Sequence, residues 1–131
     1  MILNKPIIAV DFDGTITLRD NRKWKNGVSY NDIMQPRKRV ITFLKNSRDK
    51  FYLILWTCRT GKDIDRAIIF CQRNGLLFDA INDNLVSFPT ERKIYADYYL
   101  DNQAITIKNF RNVLCKQKNG DSRVPQALPF L

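Results

Sequence analysis

The sequence predicts an α/β fold, a three-layer sandwich in which helices cover a central, mostly parallel sheet. Short apolar runs of strand length recur along the chain, and segments with helical spacing of apolar residues separate the first three of them. Strands that alternate with helices pair in parallel through right-handed crossovers. Functional groups are therefore expected where the carboxyl ends of the strands meet.

The predicted strands are apolar runs with polar ends. They span Lys5 to Phe12, Phe51 to Trp56, Phe78 to Ile81, and Ala96 to Leu100. The first, KPIIAVDF, is a continuous apolar run, which is typical of a central strand buried on both faces. The second, FYLILW, has the same character.

The helices are predicted from apolar residues that recur at helical spacing. The first follows Pro36, which suits an initial helical turn, and its apolar residues are Val40, Ile41, Phe43 and Leu44. The second has Ile64, Ala67, Ile68 and Cys71, and ends at Asn74-Gly75. The last has Ile107, Phe110 and Leu114, with Thr106 as its N-cap.

Two further segments are predicted to lie outside these elements. Leu18 to Asp32 is polar and contains the hairpin signal Asn26-Gly27, so we expect a flap there. Its aromatic residues, Trp24 and Tyr30, suit stacking on a substrate ring or packing within the protein. The remaining residues form one core domain over 1–120 and a loose tail over 121–131.

The composition is that of one globular domain. The chain has 131 residues, a formal net charge of +9, three cysteines and no histidine. No apolar run reaches the length of about 18 residues that a membrane helix needs, so we expect no membrane partner and a reducing, cytoplasmic location. The lack of histidine excludes His-dependent triads and zinc proteases.

The positive charge is concentrated in two segments, Pro36 to Thr60 and Asn102 to Leu131, which flank an acidic one. Such a field attracts anionic substrates or nucleic acid, although a solvated basic surface explains the same pattern. The basic residues are not interleaved with aromatic residues that would stack on bases. A small phosphorylated substrate is therefore the favoured partner, with nucleic acid as the alternative, and an oligomer stays open.

Asp11 and Asp13, two residues apart, stand at the end of the first predicted strand. Both carboxylates can approach one point as the chain turns at Gly14, and each would raise the pKa of the other unless a positive charge neutralised them. Strand-end aspartates also cap ordinary turns, and Asp-Gly is a common turn pair. The position of DFDGT directly after a buried strand favours a functional site.

Four short motifs occur in order: VDFDGT in the first strand, Thr57 at the end of the second, Lys93 before the last, and Asp101-Asn102 after it. This set resembles the haloacid dehalogenase superfamily, whose members are mostly magnesium-dependent phosphatases with a Rossmann-like core. The stretches WTCRTG, CQRNGLLFDAINDN and RKIYADYYLDN resemble a group of small hydrolases of this superfamily from bacteria and their phages. The gaps between the motifs leave no room for a large cap domain.

The resemblance implies a role for each matching residue. Asp11 would attack phosphorus and form an aspartyl-phosphate. Asp13 would protonate the leaving oxygen and later deprotonate the attacking water, a role that suits a carboxyl with a raised pKa. The catalytic set is completed by Thr57 and Lys93, and the substrate-binding set is Thr57, Cys58, Arg59 and Lys93. For Arg59, a surface ion pair is an equally good interpretation.

The resemblance also implies a Mg²⁺ cofactor. Its ligands would be the Asp11 side chain, the Asp13 backbone carbonyl and Asp101, an oxygen-only set that suits a hard cation. The chain departs from the family at Asn102, where a second acidic residue is common. An amide oxygen can hold a magnesium-bound water but removes one negative charge, so weaker metal binding is expected. Asp97, four residues upstream, is expected to lie too far away to compensate.

The sequence thus predicts a Mg²⁺-dependent phosphomonoester phosphatase that works through an aspartyl-phosphate on Asp11. A site without a large cap also suits the end of a polynucleotide. A catalytically weak protein of the same fold, which binds nucleic acid through its basic segments, is the alternative from a different class. Asn102 and the net charge favour that alternative. The enzyme is favoured by the presence of all four motif residues, Asp11, Asp13, Thr57 and Lys93.

Overall fold

The computed structural model describes residues 3–18, 34–87, 92–104, 106, 109–110 and 112. Within these ranges the elements are β1 (Ile7–Val10), α1 (Lys38–Ser47), β2 (Tyr52–Leu55), α2 (Gly61–Arg73), β3 (Ala80–Ile81) and β4 (Tyr98–Leu100). No helix in this part of the chain has both the length and the apolar character needed to cross a membrane.

The four strands form one parallel sheet in the order β3-β2-β1-β4. β1 lies between β2 and β4, with Val10 opposite both Leu55 and Leu100. Every residue of β1 is buried, as its continuous apolar sequence predicts. The predicted α/β class, with a Rossmann-like parallel sheet, is confirmed.

Both helices pack on the same face of the sheet. They contribute Ile41, Leu44, Ala67 and Cys71 to a core that includes the strand residues Ile8, Val10, Leu53 and Leu55. Phe43, which we expected in the apolar stripe of α1, is instead 66% exposed. A residue two positions after Ile41 points to the opposite side of a helix, so Phe43 cannot share the buried face.

The other face of the sheet is covered by the chain that leads into β4. Ile94 and Ala96 pack there against Ile7, Ala9 and Ile54. Side chains two residues apart on a strand share one face of the sheet, so Asp11 lies on the same face as Ile7 and Ala9. The second core is therefore on the face that carries Asp11.

Two aspartates fix where the outer strands begin. Asp79 Oδ2 accepts the N–H of Leu53 at 2.8 Å, and Asp97 Oδ2 accepts the N–H of Ile7 at 2.8 Å. At the start of each strand pair, a carboxylate oxygen accepts the backbone N–H in place of a backbone carbonyl. β3 and β4 therefore begin at Ala80 and Tyr98, later than the apolar runs predict. Asp97 therefore lies at the end of the sheet opposite the predicted site, as expected.

The predicted segments at the edges of the core are described only in part. Thr106 Oγ1 accepts the N–H of Asn109 at 3.2 Å, which is the hydrogen bond expected of the predicted N-cap. A bridge joins Thr17 to Pro36, which lie on either side of the predicted flap. Trp24, Tyr30 and the tail over 121–131 lie outside the described residues, and the division into core and tail stays a prediction.

We expect Asp97→Ala to lower the free energy of unfolding by about 1–2 kcal/mol, because it leaves the N–H of Ile7 without its acceptor. Asp97→Asn retains an acceptor oxygen and should lose less than half as much. Urea unfolding measures both, with Asp65→Ala, an exposed position on α2, as the control within about 0.5 kcal/mol of wild type. Equal losses for the alanine and asparagine variants would contradict the proposed role of the acceptor.

Candidate functional site

The predicted site lies at the carboxyl ends of β1, β2 and β4. Asp11 directly follows β1, and its N–H donates to the carbonyl of Leu100 at 2.9 Å. The chain then turns back, since the N–H groups of Thr15 and Ile16 both donate to the carbonyl of Phe12. Gly14 has a φ of 84° in this turn, a left-handed conformation that favours glycine. The turn brings these residues beside the loops that follow β2 and β4.

The carboxyl of Asp11 lies in a partly buried and acidic environment. Its pKa is raised to about 6, chiefly by burial and then by the negative charge of Asp101. The Thr15 hydroxyl donates to Asp11 Oδ2 at 3.2 Å and opposes this rise, as does a backbone hydrogen bond from Phe12. The ionised form of Asp11 is therefore stabilised by any positive charge that binds beside it.

Asp13 is held in a bidentate ion pair by Arg59. Arg59 Nε donates to Asp13 Oδ2 at 2.9 Å, and Nη2 donates to Oδ1 at 2.7 Å. The Arg59 side chain is 1% exposed, and its guanidinium lies 4.9 Å from the centre of the Phe12 ring. Nη1 also donates to the carbonyl of Asp63 in α2 at 3.4 Å. The two parallel hydrogen bonds fix the orientation of the Asp13 carboxylate.

This pair corrects one expectation. Arg59 was expected to meet substrate or to form a surface ion pair, but its guanidinium is buried against Asp13. Sequence reasoning missed the Arg59–Asp13 contact because it joins residues that are 46 positions apart.

Thr57 lies in a loop that two neighbouring residues hold in place. Its Oγ1 accepts the backbone N–H of Arg59 at 3.1 Å, so the hydroxyl proton can be donated to another oxygen. Asn82 Oδ1 accepts the N–H of Thr57 at 2.8 Å, and Asn82 Nδ2 donates to the Thr57 carbonyl at 2.9 Å. Asn82 has a φ of 50°, which asparagine tolerates better than most residues. Cys58, the next residue, is exposed.

Lys93 lies beside the site on an aromatic surface. Its Nζ is 5.6 Å from the centre of the Tyr99 ring, and that ring lies 5.5 Å from the ring of Trp56. Within the described chain, no ion pair joins Lys93 to Asp11 or Asp101. The structure therefore brings the predicted aspartates together and places the ammonium of Lys93 over the Tyr99 ring.

The oxygen atoms around Asp11 fit a hard cation such as Mg²⁺. Asp11 Oδ2 and the Asp13 carbonyl both face the side-chain amide of Asn102, whose nitrogen donates to them at 3.0 Å and 3.3 Å when it is turned toward them. No group of three acidic, cysteine or histidine side chains suited to a metal occurs among the described residues. The set is instead a carboxylate, a peptide carbonyl and an amide, with Asp101 close enough to raise the pKa of Asp11.

Comparison with known proteins places the chain among proteins of similar sequence and fold. No family model and no curated protein matches it. A solved structure, that of a conserved protein from Bacteroides thetaiotaomicron, is 31% identical and matches over 88% of this chain and 93% of its own, with a TM-score of 0.63. The chain belongs to the family of this conserved protein. This relationship supports the α/β fold.

We expect Asp13→Ala to destabilise the metal-free protein by about 3 kcal/mol, because it removes the bidentate partner of the buried Arg59 guanidinium. The double variant Asp13→Ala/Arg59→Met should recover at least half of that loss, since it also removes the buried charge. Urea unfolding in EDTA measures the three stabilities. Additive effects within about 0.5 kcal/mol would show that the two side chains are not energetically coupled.

Proposed function

We propose that the chain is a Mg²⁺-dependent phosphomonoester phosphatase of haloacid dehalogenase type, with a cytoplasmic location. The observation that carries the proposal is the position of Asp11. Its partly buried carboxyl stands at the end of the central strand, beside the carbonyl of Asp13 and the amide of Asn102. A nucleophilic carboxylate that needs a neighbouring positive charge suits attack on a phosphoryl group.

Asp11 acts as the nucleophile in this proposal. One carboxylate oxygen forms a bond to phosphorus as the bond between phosphorus and the leaving oxygen breaks. Water then attacks phosphorus, which releases inorganic phosphate and regenerates the carboxylate. The Thr15 hydroxyl, which donates to Asp11 Oδ2, holds the side chain in one orientation for the attack.

Asp13 moves the proton in both steps. It gives a proton to the leaving oxygen and later accepts one from the attacking water, so it ends the cycle as it began. Arg59 fixes the plane of the Asp13 carboxyl through two parallel hydrogen bonds. We assign Arg59 a positioning role, because it acts through Asp13.

The phosphoryl group is bound by the loops around these carboxyls. Thr57 donates its hydroxyl to a phosphoryl oxygen, and the exposed Cys58 offers its backbone N–H. Lys93 stands on the Tyr99 ring and offsets phosphoryl charge from there once substrate is bound. Asp11, the Asp13 carbonyl and the Asp101-Asn102 pair would hold a Mg²⁺ ion, which would supply positive charge to Asp11 and the phosphoryl oxygens.

One surface feature favours the alternative partner, nucleic acid. Phe43 is 66% exposed on α1, beside the basic residues Lys38 and Arg39, and these three residues line one shallow groove. An exposed ring among basic side chains suits stacking of a base above a phosphate backbone. We therefore keep the end of a polynucleotide as the second substrate class, with a small phosphate ester as the first.

Asp11→Asn should abolish hydrolysis of a generic phosphate ester in Mg²⁺, because a neutral amide is a poor nucleophile. Asp13→Asn should lower kcat by about 10²- to 10⁴-fold, the usual contribution of general acid–base catalysis. Asp65→Asn on the surface of α2 is the matched control with unchanged turnover. Circular dichroism checks that each variant is folded.

Substantial turnover by Asp11→Asn would refute the proposed nucleophile. Release of a terminal phosphate from an oligonucleotide faster than from a mononucleotide, with binding that weakens as salt is raised, would make the polynucleotide end the preferred substrate.

A further inference from the structure

Asn102 is built into the loop that carries Asp11 and Asp13. Its backbone N–H donates to Thr15 Oγ1 at 3.0 Å, and the tip of its side-chain amide lies 3.0 Å from Asp11 Oδ2 and 3.3 Å from the Asp13 carbonyl oxygen. These two oxygens are ligands of the proposed cation. The amide of Asn102 therefore contacts the cation site directly.

Gly14 leaves room for the Asn102 side chain. A Cβ at residue 14 would lie 2.5 Å from one of the two terminal atoms of the Asn102 amide, closer than real Cβ atoms come to such neighbours, and 3.0 Å from its Cγ. The lack of a side chain at Gly14 therefore allows the Asn102 amide to lie beside the two oxygens of the site.

The two ends of an amide have the same shape and opposite hydrogen-bonding character. With nitrogen inward, Asn102 donates to Asp11 and to the Asp13 carbonyl, and both acceptors are satisfied without a metal. With oxygen inward, three acceptor oxygens converge, and the single Thr15 hydroxyl proton can be donated to the amide oxygen at 3.3 Å or to Asp11 Oδ2 at 3.2 Å but not to both. Neighbouring ligands of Mg²⁺, each about 2.1 Å from the ion, are separated by about 3 Å, which is close to the spacing of these atoms.

We propose that Asn102 is a two-state group of the cation site, with its amide nitrogen inward in the metal-free protein and its amide oxygen inward, as a direct ligand, when a divalent cation binds. An aspartate at this position could serve only the second state. Without the cation it would add a third negative charge beside Asp11 and Asp101 and would supply no donor. Compared with aspartate, asparagine stabilises the metal-free site and lowers its affinity for the cation.

This inference rests on the cation site of the proposed function, and it is tested by binding of Mg²⁺ alone, without substrate. Calorimetric titration gives the Kd, and thermal unfolding in EDTA gives the stability of the metal-free state. The variants are Asn102→Asp, which keeps the size of the side chain, and Asn102→Ala. Asn46→Asp, at an exposed position on α1, is the matched control, and Asp11→Asn tests the site itself.

Asn102→Asp should bind Mg²⁺ about tenfold more tightly and should melt about 3 °C lower in EDTA, so that its two effects have opposite sign. Asn102→Ala should bind about tenfold more weakly and should also melt lower in EDTA. Asn46→Asp should change neither property.

Two failures are distinguishable. If wild type binds Mg²⁺ and Asp11→Asn does not, but both Asn102 variants bind like wild type, then the role of Asn102 is wrong and the cation site survives. If wild type gives neither heat of binding nor a shift in melting temperature, then the cation site and the role of Asn102 both fail.

Discussion

The buried ion pair between Arg59 and Asp13 is the interaction on which the arrangement of the strand ends depends. It joins the turn after β1 to the loop after β2, and it reaches α2 through the carbonyl of Asp63. Because the Arg59 guanidinium is enclosed and packs on the Phe12 ring, the loop cannot shift without exposing or separating the two charges. The Asp13 carbonyl, which faces the cation site, is therefore positioned by a contact of its own side chain.

The uncompensated negative charge of Asp11 determines which ligands the site can bind. The pKa of Asp11 is raised chiefly by burial and then by the charge of Asp101, and the Arg59 guanidinium is directed at Asp13 instead. Within the described chain, neutral donors contact the Asp11 carboxyl: the Thr15 hydroxyl, the backbone at Phe12 and the amide of Asn102. Neutral donors hold the carboxylate in place but leave its charge uncompensated. A divalent cation or a phosphoryl group with its cation can supply that compensation.

The sequence alone predicts the features that depend on local pattern. The apolar runs predict that β1 and β2 are buried. The apolar run before Asp11 and the glycine turn after it predict that Asp11 stands at the end of β1. Contacts between distant residues could not be predicted. The pairing of Arg59 with Asp13 depends on how two loops meet, and the location of Lys93 on Tyr99 depends on the path of the chain into β4. The late starts of β3 and β4 follow from side-chain acceptors, which apolar periodicity does not reveal.

Transfer of the phosphoryl group to Asp11 is the central claim, and acid quenching followed by peptide mass spectrometry tests it most directly. Wild-type protein in excess over a phosphate ester with a good leaving group is mixed with Mg²⁺ and quenched within one turnover. The account predicts that the peptide containing Asp11 transiently gains the mass of one phosphoryl group, and that Asp11→Asn shows no such species. Release of phosphate without any phosphorylated peptide in a quench faster than turnover, or with the phosphoryl group on another residue, would contradict it.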